Sequence, residues 1–185
     1  MADFSKAINF ILAHEGGFAE TPAGEYVNRG INTDTLVALG YKGTKDELKE
    51  IVKNLTLEQT KDIYQKFYWT FKKPSLPNAL DLVTSQAVAG KILDMTVLSG
   101  QRTAIKLVQR AAGIISDGYF GSGTLNAVNT SIDFVQDLIK IWSVSLASIA
   151  DNNMAKAKAN NDPALLKYWE RVKIGWLKRA SWNGA

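Results

Sequence analysis

Residues 79–98 hold Leu82, Val83, Ala87, Val88, Ile92, Leu93 and Met95 in helical order, with Gly90 in the middle and no polar face. A helix that is apolar all round has to be covered on every side. The segment therefore predicts a buried central helix, ended by Gly100, with amphipathic helices packed around it. Spacing elsewhere supplies them. Phe4, Ala7, Ile8, Ile11 and Leu12 fall on one face of a first helix reaching Glu15. Thr44 with Glu47, and Thr56 with Gln59, each fit a capping box, in which a hydroxyl and a side-chain acceptor satisfy free backbone N–H groups reciprocally. The second of these helices runs from Leu57 through Ile63 and Phe67 toward Phe71, where Pro74 and Pro77 break it. Another is expected over 102–112. Asp117-Gly118 marks a turn, and Gly121-Ser-Gly-Thr124 leads into a short helix. Ser131 is placed to cap a helix through Phe134, Leu138, Ile141 and Trp142 to about 150. Asp162-Pro163 is an N-cap with proline at the first helical position, introducing a last helix over 164 to about 179. Only residues 26–31 have strand character. The fold class is mainly α.

Composition removes several function classes. A chain of 185 residues, 46% hydrophobic and 22% charged, is long enough to bury a core as one globular domain. Without cysteine it has neither a disulfide framework nor a thiolate metal site, and a single histidine, His14, rules against a multi-histidine centre. No metal and no cofactor are expected. The N-terminus reads as an amphipathic helix rather than a signal peptide, and no apolar run reaches the about 20 residues that span a bilayer. The net charge of +4 and pI of about 9.2 suit an anionic partner, or simply a solvated basic surface. Basic residues are dispersed, apart from Lys167, Arg171, Lys173, Lys178 and Arg179. That is not the clustered stripe a nucleic acid requires.

The chemistry concentrates where the first helix ends. Glu15-Gly-Gly-Phe18 opens a polar loop, residues 20–31, rich in glycine and in groups such as Asn28 that can hydrogen-bond a sugar, with a second carboxylate at Glu25. Cleaving a glycosidic bond takes an acid to protonate the leaving oxygen and usually a second carboxylate to activate water or stabilise the oxocarbenium-like state. Glu15, at the end of an apolar helix, suits the first role, with burial raising its pKa. Glu25 suits the second, ahead of Glu20. Equally, Glu-Gly-Gly is what a helix C-cap followed by a solvated loop looks like. Tyr26, Tyr68 and Trp69 can stack on sugar rings, Tyr26 foremost, because the helical spacing of Trp69 also fits a core position. Asp94 lies inside the apolar helix and must have a partner there, either as a buried structural bond or as part of a cleft wall. His14 fits a polar helix end near the favourable dipole, or a group acting on Glu15.

His14-Glu-Gly-Gly-Phe18 is followed by Asn28-Arg-Gly-Ile31, Ile63-Tyr64 with Tyr68-Trp69, and Leu93-Asp94 with Ser99-Gly100. Leu107-Val-Gln109, Asp117-Gly-Tyr-Phe-Gly121 with Thr124, and Gly175-Trp-Leu177 with Arg179 complete the set. In this order and spacing the chain resembles glycoside hydrolase family 108, phage-type N-acetylmuramidases that also include bacterial proteins described as secretion activators. The resemblance implies a lysozyme-like helical fold with a small N-terminal lobe and a larger helical lobe. It implies one domain over 1–185, with residues 1–98 approximating a catalytic part and 99–185 a helical part. That second part carries the family's peptidoglycan-binding portion, here Asp117, Gly118, Gly121 and Thr124; a turn followed by a hydroxyl helix cap is the alternative reading of those residues. The implied reaction is cleavage of the β-1,4 bond between N-acetylmuramic acid and N-acetylglucosamine, with Glu15 as general acid and Glu25 as base or electrostatic partner. The implied partner is the peptidoglycan strand, not nucleic acid or membrane. A monomer is expected, acting in the periplasm or cell wall as a phage endolysin released by a separate holin or as a bacterial secretion-associated muramidase.

One departure stands out. Family members carry an aspartate- and glycine-rich loop leading into Thr-Asn-x-Gly-Ile, whereas this chain has Glu25 and, in place of the threonine, Val27. A valine has no hydroxyl to position water. A catalytically impaired peptidoglycan-binding or phage structural protein is therefore a second expectation, and a basic nucleic-acid-binding helical protein a third.

Overall fold

The structure is a computed structural model that describes residues 1–21 and 24–184; within the predicted sugar-binding loop, Pro22 and Ala23 lie outside the described residues. The fold is mainly α and lysozyme-like. It comprises α1 (Phe4–Glu15), β1 (Phe18–Glu20), β2 (Tyr26–Asn28), β3 (Ile31–Asn32), α2 (Thr33–Ala38), α3 (Lys45–Lys53) and α4 (Leu57–Tyr64). There follow α5 (Gln86–Ser99), α6 (Gln101–Ala111), α7 (Ser122–Thr130), α8 (Phe134–Ala159) and α9 (Pro163–Ala180). Among the described residues no helix is long and apolar enough to cross a membrane.

α5 is the central helix that the apolar run predicts. Ala89, Ile92, Leu93 and Met95 are wholly buried, and α1, α6 and α8 pack on it. It starts later than expected, because the Ser85 hydroxyl accepts the Val88 N–H and sets the N-terminus. The preceding apolar residues instead form a 3-10 turn, Leu80–Leu82. Asn129 of α7 fastens that segment, accepting from the Thr84 N–H at 3.0 Å and donating to Leu82 O at 3.1 Å.

Both capping boxes are present. The helix expected to run to Phe71 opens after Tyr64 into a π-helical turn, Gln65–Trp69, where the Thr70 N–H reaches back to Gln65 O. The widened turn leaves carbonyls that side chains of the following helices satisfy. Gln101 donates to Phe67 O and Thr70 O at 2.7 and 3.0 Å, and Thr96 donates to Tyr68 O at 3.3 Å. Ser131 closes α7, donating to Ala127 O, instead of opening α8. α8 extends to Ala159 and forms a hairpin with α9, whose Asp162 cap accepts the Leu165 N–H as expected.

The small sheet is antiparallel in the order β1-β2-β3. Its β1 strand and the short α2 carry too few periodic residues to be read from sequence. Between β2 and β3, with Asn28 opposite Ile31, the two central residues Arg29 and Gly30 both have positive φ, 48° and 78°. That is the requirement of a type I′ turn, whose twist matches the strands it joins.

Candidate active site

Three distant parts of the chain converge on Glu15. The residue is the last of α1, and its side chain is 18% exposed. Arg179, near the end of α9, places Nη1 2.6 Å from Glu15 Oε1. The same guanidinium donates from Nε to Asp94 Oδ1 at 2.7 Å. Asp94 belongs to α5 and is wholly buried, as is Lys91 one turn before it. Lys91 Nζ lies 3.8 Å from Asp94 Oδ2, donates to Ala180 O at 2.7 Å and sits 4.6 Å from the Trp142 ring centroid. Charges thus alternate from Lys91 through Asp94 and Arg179 to Glu15.

Burial dominates the inner groups. It pushes the Asp94 carboxyl above the ordinary range, with the Arg179 guanidinium pulling it back. Burial also lowers Lys91 to about 8, against the attraction of Asp94. For Arg179, burial favours the neutral form but is outweighed by Asp94 and Glu15, so the guanidinium stays charged. Asp94 Oδ2 and Arg179 Nη2 are buried with no hydrogen-bond partner among the described residues.

The β2–β3 hairpin closes over the carboxylate. A Cβ on Gly30 would lie 2.7 Å from Glu15 Oε2 and 2.5 Å from Tyr64 Oη, so only glycine lets the turn approach this closely. Tyr64 donates its hydroxyl to Arg29 O at 2.9 Å, fastening the turn to α4. Burial, and next the negative Glu15, push Tyr64 well above the usual phenol range. Tyr68 is raised by burial too, with a Thr35 hydrogen bond opposing and Glu15 adding to the rise. Both therefore remain neutral phenols beside the acid.

The other expected site residues separate into two groups. Tyr26 and Tyr68 are partly exposed. Tyr26 meets Phe18 edge-on across the sheet at 5.2 Å, with Lys49 5.4 Å from its ring; Tyr68 lies on the π turn, 5.2 Å from Tyr64. Asn28, Trp69 and Asp94 are 3%, 1% and 0% exposed, and this corrects the expectation that they meet a sugar directly. The Asn28 amide donates to Val52 O and Lys53 O. Trp69 donates to Asp81 and packs edge-on to Phe4. Asp94 is the buried structural bond, not the cleft wall.

Glu25 is paired with Lys45 of α3, which holds its carboxyl below the usual range. Its surroundings are Thr33, Asp34, Val37 and Leu48. His14 is engaged within its own helix: its Nδ1 lies 2.9 Å from Phe10 O, and its ring joins Phe10, which stacks on Trp182. In the 117–124 segment, Gln109 accepts the Gly118 N–H and approaches Asp117, Tyr119 O and Thr124. The Thr124 hydroxyl serves this cluster and does not cap α7.

Sequence reasoning overlooked Arg179 as the partner of Glu15. The available signal was Lys91 three residues before Asp94 in a run with no polar face: two charges there demand a further buried group.

A family model described as Glycosyl hydrolase 108 matches residues 8–100. Among solved structures, that of Brucella abortus SagA matches at 26% identity and a TM-score of 0.63, covering 92% of this chain and 95% of that one. No curated protein matches the chain.

Proposed function

The chain belongs to the Glycosyl hydrolase 108 family, and from that membership we propose that it is an N-acetylmuramidase, cleaving the β-1,4 bond between N-acetylmuramic acid and N-acetylglucosamine with Glu15 as general acid. The observation that carries this reading is the placement of Glu15: Oε1 is anchored by Arg179, while Oε2 lies under the Gly30 turn. A carboxyl fixed by a second group retains its direction without losing rotamer entropy at each turnover. The neutral phenol of Tyr68 can donate a hydrogen bond beside it, Tyr64 having given its hydroxyl hydrogen to Arg29 O, and neither adds a competing charge.

Glu25, kept ionised by Lys45, has the charge state of a base or an electrostatic partner. The pairing with Lys45 and the missing hydroxyl at Val27 also favour a second reading, a relative that binds glycan without cleaving it. Reducing-end release from purified sacculi, with mass spectrometry of the fragments, separates the two. Fragments ending in reducing N-acetylmuramic acid from the wild type, absent with Glu15→Gln, are expected. Equal release by Glu15→Gln would remove Glu15 from the mechanism, and binding without release by the wild type would favour the second reading.

A further inference from the structure

We propose that the cavity between the π turn and α6 binds the carboxylate-bearing peptide branch of the glycan strand whose backbone lies at Glu15. This rests on the reading of the protein as a peptidoglycan hydrolase and assigns that site a second, anionic part of its substrate.

The cavity encloses about 350 Å³, and its lining includes Phe67, Tyr68, Lys72, Lys73, Arg102 and Tyr119. Three cations line it and no carboxylate does. None of the ion pairs among the described residues uses Lys72, Lys73 or Arg102. Two of these cations instead rest on aromatic faces. Lys72 Nζ is 4.8 Å from the Phe67 ring centroid, and the Arg102 guanidinium is 5.1 Å from that of Tyr119. A cation resting on a ring face carries no opposing negative charge and can still pair with an incoming anion, although Arg102 Nη1 also reaches Tyr119 Oη at 3.4 Å. Arg102 also acts on Asp117, whose carboxylate accepts from the Tyr119 N–H and Gln109.

Position links this cavity to the acid. Tyr68 forms part of its wall and also feels the charge of Glu15. Its ring neighbours Tyr64, whose hydroxyl lies against Gly30 beside the Glu15 carboxylate. Tyr64 and Tyr68 thus connect Glu15 to three cations that take part in no ion pair. Gln101 and Thr96, bound to the carbonyls of the π turn, hold that wall in place. Neutral N-acetylated hexoses give such cations nothing to pair with. The peptide carried on the lactyl group of N-acetylmuramic acid does: its free carboxylates match the cations, and its aliphatic atoms match the rings.

The test is binding to the full chain carrying Glu15→Gln, measured by calorimetry with two probes: a glycan oligomer bearing its peptides, and the same oligomer with its peptide carboxylates converted to methylamides, which keeps the peptide and removes its negative charge. The oligomer with free carboxylates should bind about tenfold tighter, the scale of a few exposed charge pairs. Lys72→Gln with Arg102→Gln, both exposed side chains, should remove that preference. Raising salt from about 0.05 to about 0.5 M should also remove it, with no substitution in the pocket. Equal affinity for the two oligomers, no binding of either, or a preference indifferent to the double substitution and to salt would overturn the proposal. Because binding is read without turnover, failure of the muramidase reading shows separately, as wild-type protein that releases no reducing ends.

Discussion

Replacing Gly30 by alanine tests whether the hairpin is packed on the Glu15 carboxylate. Two costs can be worked out separately. A Cβ in the left-handed region costs about 1–2 kcal/mol, and Gly30 has φ 78°. The methyl would also meet Tyr64 Oη at 2.5 Å and Glu15 Oε2 at 2.7 Å. Neither neighbour retreats easily, since Glu15 is held by Arg179 at 2.6 Å and Tyr64 is 1% exposed and bound to Arg29 O. Overpacking of this kind costs about 1–3 kcal/mol. The expected loss is roughly 2–5 kcal/mol, a fall in Tm of roughly 5–15 °C for a chain of this size. Gly113→Ala is the control: Gly113 has φ 66°, with nothing within 4 Å of an added Cβ, so it incurs only the first cost. Urea unfolding followed by circular dichroism measures both variants, and reducing-end release measures turnover. If Gly30→Ala unfolds at the same urea concentration as Gly113→Ala, the close packing of the turn on Glu15 is wrong. If it is destabilised yet turns over at the wild-type rate, Gly30 does not place the acid.

Arg179→Met leaves Asp94 buried without its guanidinium partner, so a loss of about 3–5 kcal/mol in urea unfolding is expected, with Arg179→Lys recovering only part of it because one ammonium does not span both carboxylates; a near-neutral Arg179→Met would refute the network. Lys91 supplies a pH test. Its pKa is about 8 in the folded protein against 10.5 ordinarily, so between those values the unfolded chain binds more protons and stability rises with pH, by up to about 3 kcal/mol. Below pH 8 both states hold the proton, and this contribution is flat. Urea midpoints should climb from pH 8 to 10 in the wild type relative to Lys91→Met, and parallel profiles would show that Lys91 titrates normally.

How far the site was legible depended on whether its signal was local. Capping is local: Thr44 with Glu47, Thr56 with Gln59, and Asp162 with Pro163 each announce a helix start through residues three or fewer apart, and all three helices begin there. The apolar run identified α5, but its start shifted because Ser85 offered a cap inside the hydrophobic stretch. The π turn was illegible from α4 alone, since Gln101 and Thr96, which satisfy its displaced carbonyls, lie on later helices. Asn28 shows the opposite error. A polar residue in a glycine-rich loop resembles a ligand group, yet its amide bonds the last carbonyls of α3.

The family model ends at residue 100, and the group that orients Glu15 lies at residue 179. That separation bears on how the two parts of the chain relate. Lys91 and Asp94 could not be buried in α5 with only each other, because their 3.8 Å approach leaves most of their hydrogen-bonding capacity unmet. The end of α9 supplies further partners, Ala180 O for the ammonium and the Arg179 guanidinium for Asp94 Oδ1, while Asp94 Oδ2 keeps no hydrogen bond among the described residues. The same guanidinium then anchors Glu15. The end of α9 therefore serves both the buried charges of the central helix and the Glu15 carboxylate. In physical terms residues 1–98 contain the acid, but its geometry is completed only by the C-terminal helix.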